Sequence, residues 1–134
     1  MERNPNETTS EGKYLPAGAT VIEPDWMVEI RADFPKAMAG MGLFKCACQE
    51  GWRDLIRWAL VRMIEADPDV QVLKIKRKRG KLWIASWTIS TEARRTLQEA
   101  RDLSGCVCEY CGEPGHLYID RPGWVTCCPE CAEF

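Results

Sequence analysis

Cysteine is the residue type with the most chemical potential in this chain, present eight times in 134 residues. Cys108-x-x-Cys111 is followed, after sixteen residues, by Cys128-x-x-Cys131, a spacing that fits a four-thiolate zinc site. Each Cys-x-x-Cys pair makes a tight knuckle that aims two sulfurs at one point, and two knuckles complete a tetrahedron. Four protein ligands leave no coordination position for water or substrate, so one structural Zn2+ is expected rather than a catalytic one. Gly112 lets backbone amides approach the sulfurs, while Pro114-Gly115 and Pro122-Gly123 punctuate the turns. The runs HLYID and WVTC then read as two short strands of a zinc-ribbon-like hairpin. So small a piece buries too little apolar area to fold alone, and metal binding would supply the missing stability. The bland alternative is a set of reduced, buried thiols.

The remaining cysteines leave the ligand set open. Cys106 and Cys127 sit beside the two knuckles, and with Cys46-Ala-Cys48 they could complete a second four-cysteine site. Adjacent and i,i+2 ligands are a weaker pattern, and the plain reading makes all four ordinary thiols. His116, the only histidine, is either a ligand or a surface turn residue. No nucleophile or orienting carboxylate accompanies it in a motif.

The second candidate is the basic run Lys74, Lys76, Arg77, Lys78, Arg79 and Lys81. On a hairpin these side chains would cluster near the tip and could grip phosphates or an acidic protein surface, with Trp83 and Trp87 available to stack on bases or anchor a partner. The competing reading is a solvated tip that resists aggregation. Six tryptophans are many for this length, and most are expected in the core.

The elements that must hold these residues follow from periodicity. A short helix beginning near Asp25 is expected, interrupted by Pro35. From Gly51 to Ala66, Trp52, Leu55, Ile56, Ala59, Leu60, Met63 and Ile64 recur at helical steps, with Asp67-Pro68 as the stop. Val70 to Lys78 and Lys81 to Thr88 flank Arg79-Gly80 and read as a β-hairpin, although Arg-Gly is a weaker turn signal than Asn-Gly. Ser90 caps a second helix that Gly105 would stop. The fold class is therefore α+β, with two helices packed on the hairpin or a small antiparallel sheet and a zinc-ribbon-like module at the C-terminal end. Residues 1–20 read as a flexible tail, residues 21–105 as the α+β domain and residues 106–134 as the zinc module.

Charge is unevenly distributed. Residues 1–30 carry about −4, residues 31–105 about +6 and residues 106–134 about −4, within a net −2. The metal module is thus a poor phosphate grip, and the basic hairpin a better one. No run of about eighteen apolar residues exists, so no membrane span is expected, and the amino terminus lacks the apolar core of a signal peptide. A cytoplasmic location follows as an expectation. In that reducing compartment paired cysteines are metal ligands more often than disulfides.

From Phe44 to Cys131 the chain resembles a group of uncharacterised small proteins of tailed phages and prophages. The likeness is carried by Phe-Lys-Cys-x-Cys-x-x-Gly-Trp, then Lys-Ile-Lys-x-Lys-x-Gly-x-Leu, then Cys-x-x-Cys-Gly-x-Pro-Gly and Trp-Val-Thr-Cys-Cys-x-x-Cys. This chain departs from the group in its basic Arg-Gly-Lys hairpin tip and in Cys106 and Cys127. The resemblance implies zinc ligands at Cys108, Cys111, Cys128 and Cys131 and a phage-associated accessory protein in the cytoplasm of a bacterial host. The leading expectation is a zinc-stabilised module that binds a macromolecular partner, most simply a protein. Inhibition of a host defence complex is one version, resting on the resemblance alone. The alternative is a nucleic-acid-binding regulator using the basic hairpin 74–81. An enzyme ranks third, because a closed thiolate site lacks the open position of a catalytic zinc.

Overall fold

The computed structural model describes residues 22–119 and 123–132. The tail expected over residues 1–20 lies outside them, as do Asp120 and Pro122 of the expected ribbon. The described residues form an α+β arrangement of four α-helices and two two-stranded antiparallel sheets.

The first helix, α1 (Asp25–Asp33), buries Trp26, Met27 and Ile30. It breaks at Phe34, whose φ of −128° and ψ of 58° lie outside the α region that Pro35 disfavours for its neighbour. Pro35 then opens a single-turn helix, α2 (Pro35–Met38), where its missing N–H is harmless. A 3-10 turn over Ala39–Met41 continues it.

A 3-10 turn over Glu50–Trp52 leads into α3 (Arg53–Ala66), so the regular helix starts two residues beyond the expected Gly51. Its stripe of Ile56, Ala59, Leu60 and Met63 is fully buried, as is Trp52 ahead of it. Asp67 is extended before Pro68. Its carboxylate accepts the Asp69 N–H at 3.0 Å and the Thr88 hydroxyl at 2.5 Å, which ties the end of α3 to the far end of the hairpin.

The hairpin strands are β1 (Gln71–Lys78) and β2 (Lys81–Trp87), paired with Lys78 opposite Lys81, Lys76 opposite Trp83 and Ile75 opposite Ile84. A bulge between Val72 and Lys74 leaves Leu73 as the extra residue. Arg79 and Gly80 have φ of 53° and 78°, the left-handed pair that a two-residue hairpin turn requires. Gly80 adopts this freely, whereas Arg79 carries the strain of a Cβ in that region.

Ser90 caps α4 (Thr91–Ser104) by accepting the Ala93 N–H at 3.0 Å. Gly105 directly follows the last helical residue, as expected, and it ends the helix without a left-handed turn. Its φ is −71°, and its N–H turns to the carbonyls of Asp102 and Leu103, so the helix tightens rather than reverses. Packing also differs from two helices on one sheet face. α4 lies on β2, α3 packs principally on α4, and α2 with its 3-10 extension closes on β1. The core between them holds Met27, Ile30, Met41, Trp52, Leu60, Ile75 and Leu82. A second sheet, β3 (His116–Tyr118) and β4 (Val125–Cys127), follows α4 and has its own small cluster of buried residues.

Candidate metal centre

One knuckle leaves the end of α4 and the other leaves β4, and the β3–β4 pairing, with Leu117 opposite Thr126, holds the two together. All four Sγ atoms of Cys108, Cys111, Cys128 and Cys131 lie within 4.8 Å of one another, so the group can hold a metal ion. Cys111 and Cys128 sulfurs are 3.6 Å apart. A tetrahedron with metal–sulfur bonds of about 2.3 Å has edges of about 3.8 Å, whereas a disulfide needs about 2.05 Å. Knuckle turns are closed by Gly112 N–H to Cys108 O at 3.0 Å and Ala132 N–H to Cys128 O at 2.9 Å. The Cys131 N–H points at Cys128 Sγ, 3.4 Å away.

The electrostatics of the thiols fit a cation. At Cys108 burial opposes ionisation, but the N–H groups of Cys111, Cys128 and Tyr110 outweigh it and bring the thiol down to about 7. The neighbouring Cys128 and Cys108 push Cys131 up. At Cys111 the Glu113 amide favours the thiolate, yet burial and the adjacent sulfurs leave its pKa raised. Four thiolates this close repel one another, and a divalent ion removes that penalty.

Glu109, between the first two ligands, fastens the module to the domain. Its side chain is 1% exposed, its Oε1 is 3.1 Å from Arg77 Nη1, and its Oε2 accepts the Gln49 N–H at 3.2 Å. Burial raises its pKa while Arg77 works in the opposite direction. The backbone adds Gly51 N–H to Glu109 O at 2.7 Å and Glu109 N–H to Thr126 O at 2.9 Å. Trp52 donates its indole N–H to Val107 O at 2.9 Å, and the Thr126 hydroxyl donates to Gly80 O at 2.6 Å. A Cβ on Gly51 would collide with the carbonyls of Cys108 and Glu109, and one on Gly80 with the Leu117 side chain. The module therefore docks on the hairpin tip and on the turn ahead of α3, and not simply beside the helix that precedes it.

The other expected site residues are dispersed. Cys106 is exposed, Cys127 is buried in β4 opposite His116, and Cys46 and Cys48 sit together elsewhere. Among the described residues the two-knuckle set is the one group of close His, Cys, Asp or Glu side chains able to share an ion, so the second four-cysteine site does not assemble. His116 is exposed at the start of β3 and outside that group.

The basic run is divided by the pleat. Lys74, Lys76, Lys78 and Lys81 share the outer hairpin face with Trp83, Ala85 and Trp87, by the cross-strand register. Arg77 points the other way, to Glu109, and Arg79 occupies the turn. Nothing in the sequence marks Glu109 or Gly51, since a lone acidic residue inside a knuckle and a glycine before a helix carry no pattern of their own.

No protein-family model, curated protein or solved structure matches the chain. No described helix is long and apolar enough to cross a membrane.

Proposed function

We propose that this chain is a zinc-stabilised, non-enzymatic binding module that works by contact with a macromolecular partner. Zinc is the ion that four thiolates on two tight knuckles suit best, and full coordination by protein makes it a structural clamp. The observation that carries the binding role is the outer hairpin face. Trp83 is flanked by Lys78 Nζ at 4.3 Å and Arg101 at 4.6 Å from its ring, Lys74 lies 5.9 Å from the exposed Phe44 ring, and Trp87 is 57% exposed. An open groove of about 490 Å³ between α4 and β2 extends this surface past Arg94 and Leu97. The resemblance to phage proteins supports an accessory role in an infected bacterium, and a host defence complex is one partner that role would suit.

The alternation of cations and aromatic rings favours a second reading, a regulator that binds nucleic acid. Cations would neutralise phosphates while rings stack on unpaired bases. The two readings separate by experiment. Lys74→Glu, Lys76→Glu and Lys78→Glu together reverse the face but spare Arg77, which holds the metal module. Salt-sensitive mobility shift of single-stranded DNA or RNA, abolished in this triple variant, supports the nucleic-acid reading. Nuclease-resistant capture of one protein partner, lost in the same variant, supports the protein reading. A variant that keeps every partner overturns the assignment of this face.

A further inference from the structure

We propose that Cys46 and Cys48 form a redox-exchanging dithiol whose co-reactant is a small-molecule disulfide. Their sulfurs are 3.4 Å apart, although neither belongs to the metal-holding group. The backbone explains this proximity. Ala47 between them is pinned to the edge of β1, its N–H donating to Ile75 O at 2.9 Å and its O accepting the Arg77 N–H at 3.1 Å. Residues two apart along an extended segment point the same way, and a bend at Cys48 draws the two side chains together. A disulfide needs about 2.05 Å between sulfurs, a closure within reach of side-chain rotation and a small backbone shift.

The two thiols are not equivalent. Cys46 is partly exposed and Cys48 is buried. The hydrogen bond shared with Cys48 lowers the Cys46 pKa against its burial, Arg31 helps, and Glu23 opposes. That same hydrogen bond, with burial, raises Cys48. Cys46 is therefore the attacking sulfur and Cys48 the resolving one. In the first step the Cys46 thiolate attacks one sulfur of RSSR, a Cys46–S–S–R bond forms, and RS− leaves and is protonated. Cys48 then loses its proton to solvent and attacks Cys46 Sγ, expelling the second RS−. Overall two thiols are oxidised with loss of two hydrogens, and one RSSR is reduced to two RSH. A ring closed across a single residue is strained, which makes the bond readily reversible and suits exchange better than permanent cross-linking.

The test uses the full-length, zinc-loaded protein with oxidised glutathione, followed by acid quench, alkylation and trypsin digestion between Lys45 and Arg53. The expected peptide, Cys46 to Arg53, has lost two hydrogens and resists alkylation while zinc is retained. It should form about tenfold faster than any adduct at the exposed Cys106. Cys48→Ser should arrest the reaction as a mixed disulfide on Cys46, and Cys46→Ser should slow capture at position 48 by about tenfold. The proposal is overturned if Cys106 reacts as fast as Cys46. It is equally overturned if the Cys46–Cys48 bond forms only after zinc release or unfolding, or if Cys48→Ser gives no adduct at Cys46.

Discussion

Arg77 and Glu109 meet at 3.1 Å, one from the hairpin and the other from inside the first cysteine knuckle, with the arginine side chain 41% exposed and the glutamate 1%. This pair makes the metal module and the basic hairpin one mechanical unit. Arg77→Ala leaves a buried carboxylate without its cation. The expected loss is about 2 kcal/mol, below the roughly 3–5 kcal/mol of a fully buried pair because the arginine is partly solvated. Adding Glu109→Gln should recover part of that loss. Urea unfolding of the two singles and the double measures the coupling, and additive losses would show that the pair does not join the two parts.

Gly51 tests the docking itself. Alanine there drives a methyl into the carbonyls of Cys108 and Glu109, so Gly51→Ala should destabilise by about 3 kcal/mol and speed the loss of a metal ion held by the four cysteines to a chelator. Gly123 is the control, because its φ is 75° and a Cβ there would meet nothing within 4 Å among the described residues. Gly123→Ala should cost only about 1 kcal/mol, from backbone strain.

The hairpin turn holds an arginine where the backbone favours asparagine or glycine. Arg79→Asn should therefore stabilise the protein by about 0.5–1 kcal/mol, seen as a rise in thermal midpoint. An unchanged or lower midpoint would argue that the Arg79 side chain makes a compensating contact.

Acid sensitivity should trace partly to Asp67. The Thr88 hydroxyl, followed by the Asp69 and Ile89 amides, holds its carboxyl below the ordinary value of 3.8 despite burial. A folded value below the unfolded one contributes stability at neutral pH. That contribution is lost as pH falls below 3.8 and through the depressed folded value. Asp67→Asn should weaken the protein at neutral pH and flatten the acid limb of its stability profile, with Thr88→Ala acting in the same direction. Denaturant titrations at several pH values read both effects.

What the sequence made legible was whatever local pattern dictates. The stripe from Trp52 to Met63, the Asp67-Pro68 stop, the Ser90 cap and the paired cysteines each encode their structure within a few residues. Pro35 likewise forces the break at Phe34. Long-range docking is different in kind: Glu109 reaches Arg77 across 32 positions, and Gly51 matters only because Cys108 and Glu109 arrive above it. Gly105 ends α4 where its position predicts, and the chain runs on from it directly into the first knuckle. The basic run looked like one cluster along the chain, but the pleat sends Arg77 to one face and Lys76 and Lys78 to the other.

We propose that the four thiolates of Cys108, Cys111, Cys128 and Cys131 clamp one zinc ion and so hold the C-terminal module in place. X-ray absorption at the zinc edge, on protein purified under reducing conditions, measures this directly. The expected spectrum shows one zinc per chain with four sulfur neighbours at about 2.3 Å, and Cys108→Ser should lose both the ion and the fold of the module. A protein that copurifies without metal, and in which Cys108→Ser leaves the fold intact, would contradict it.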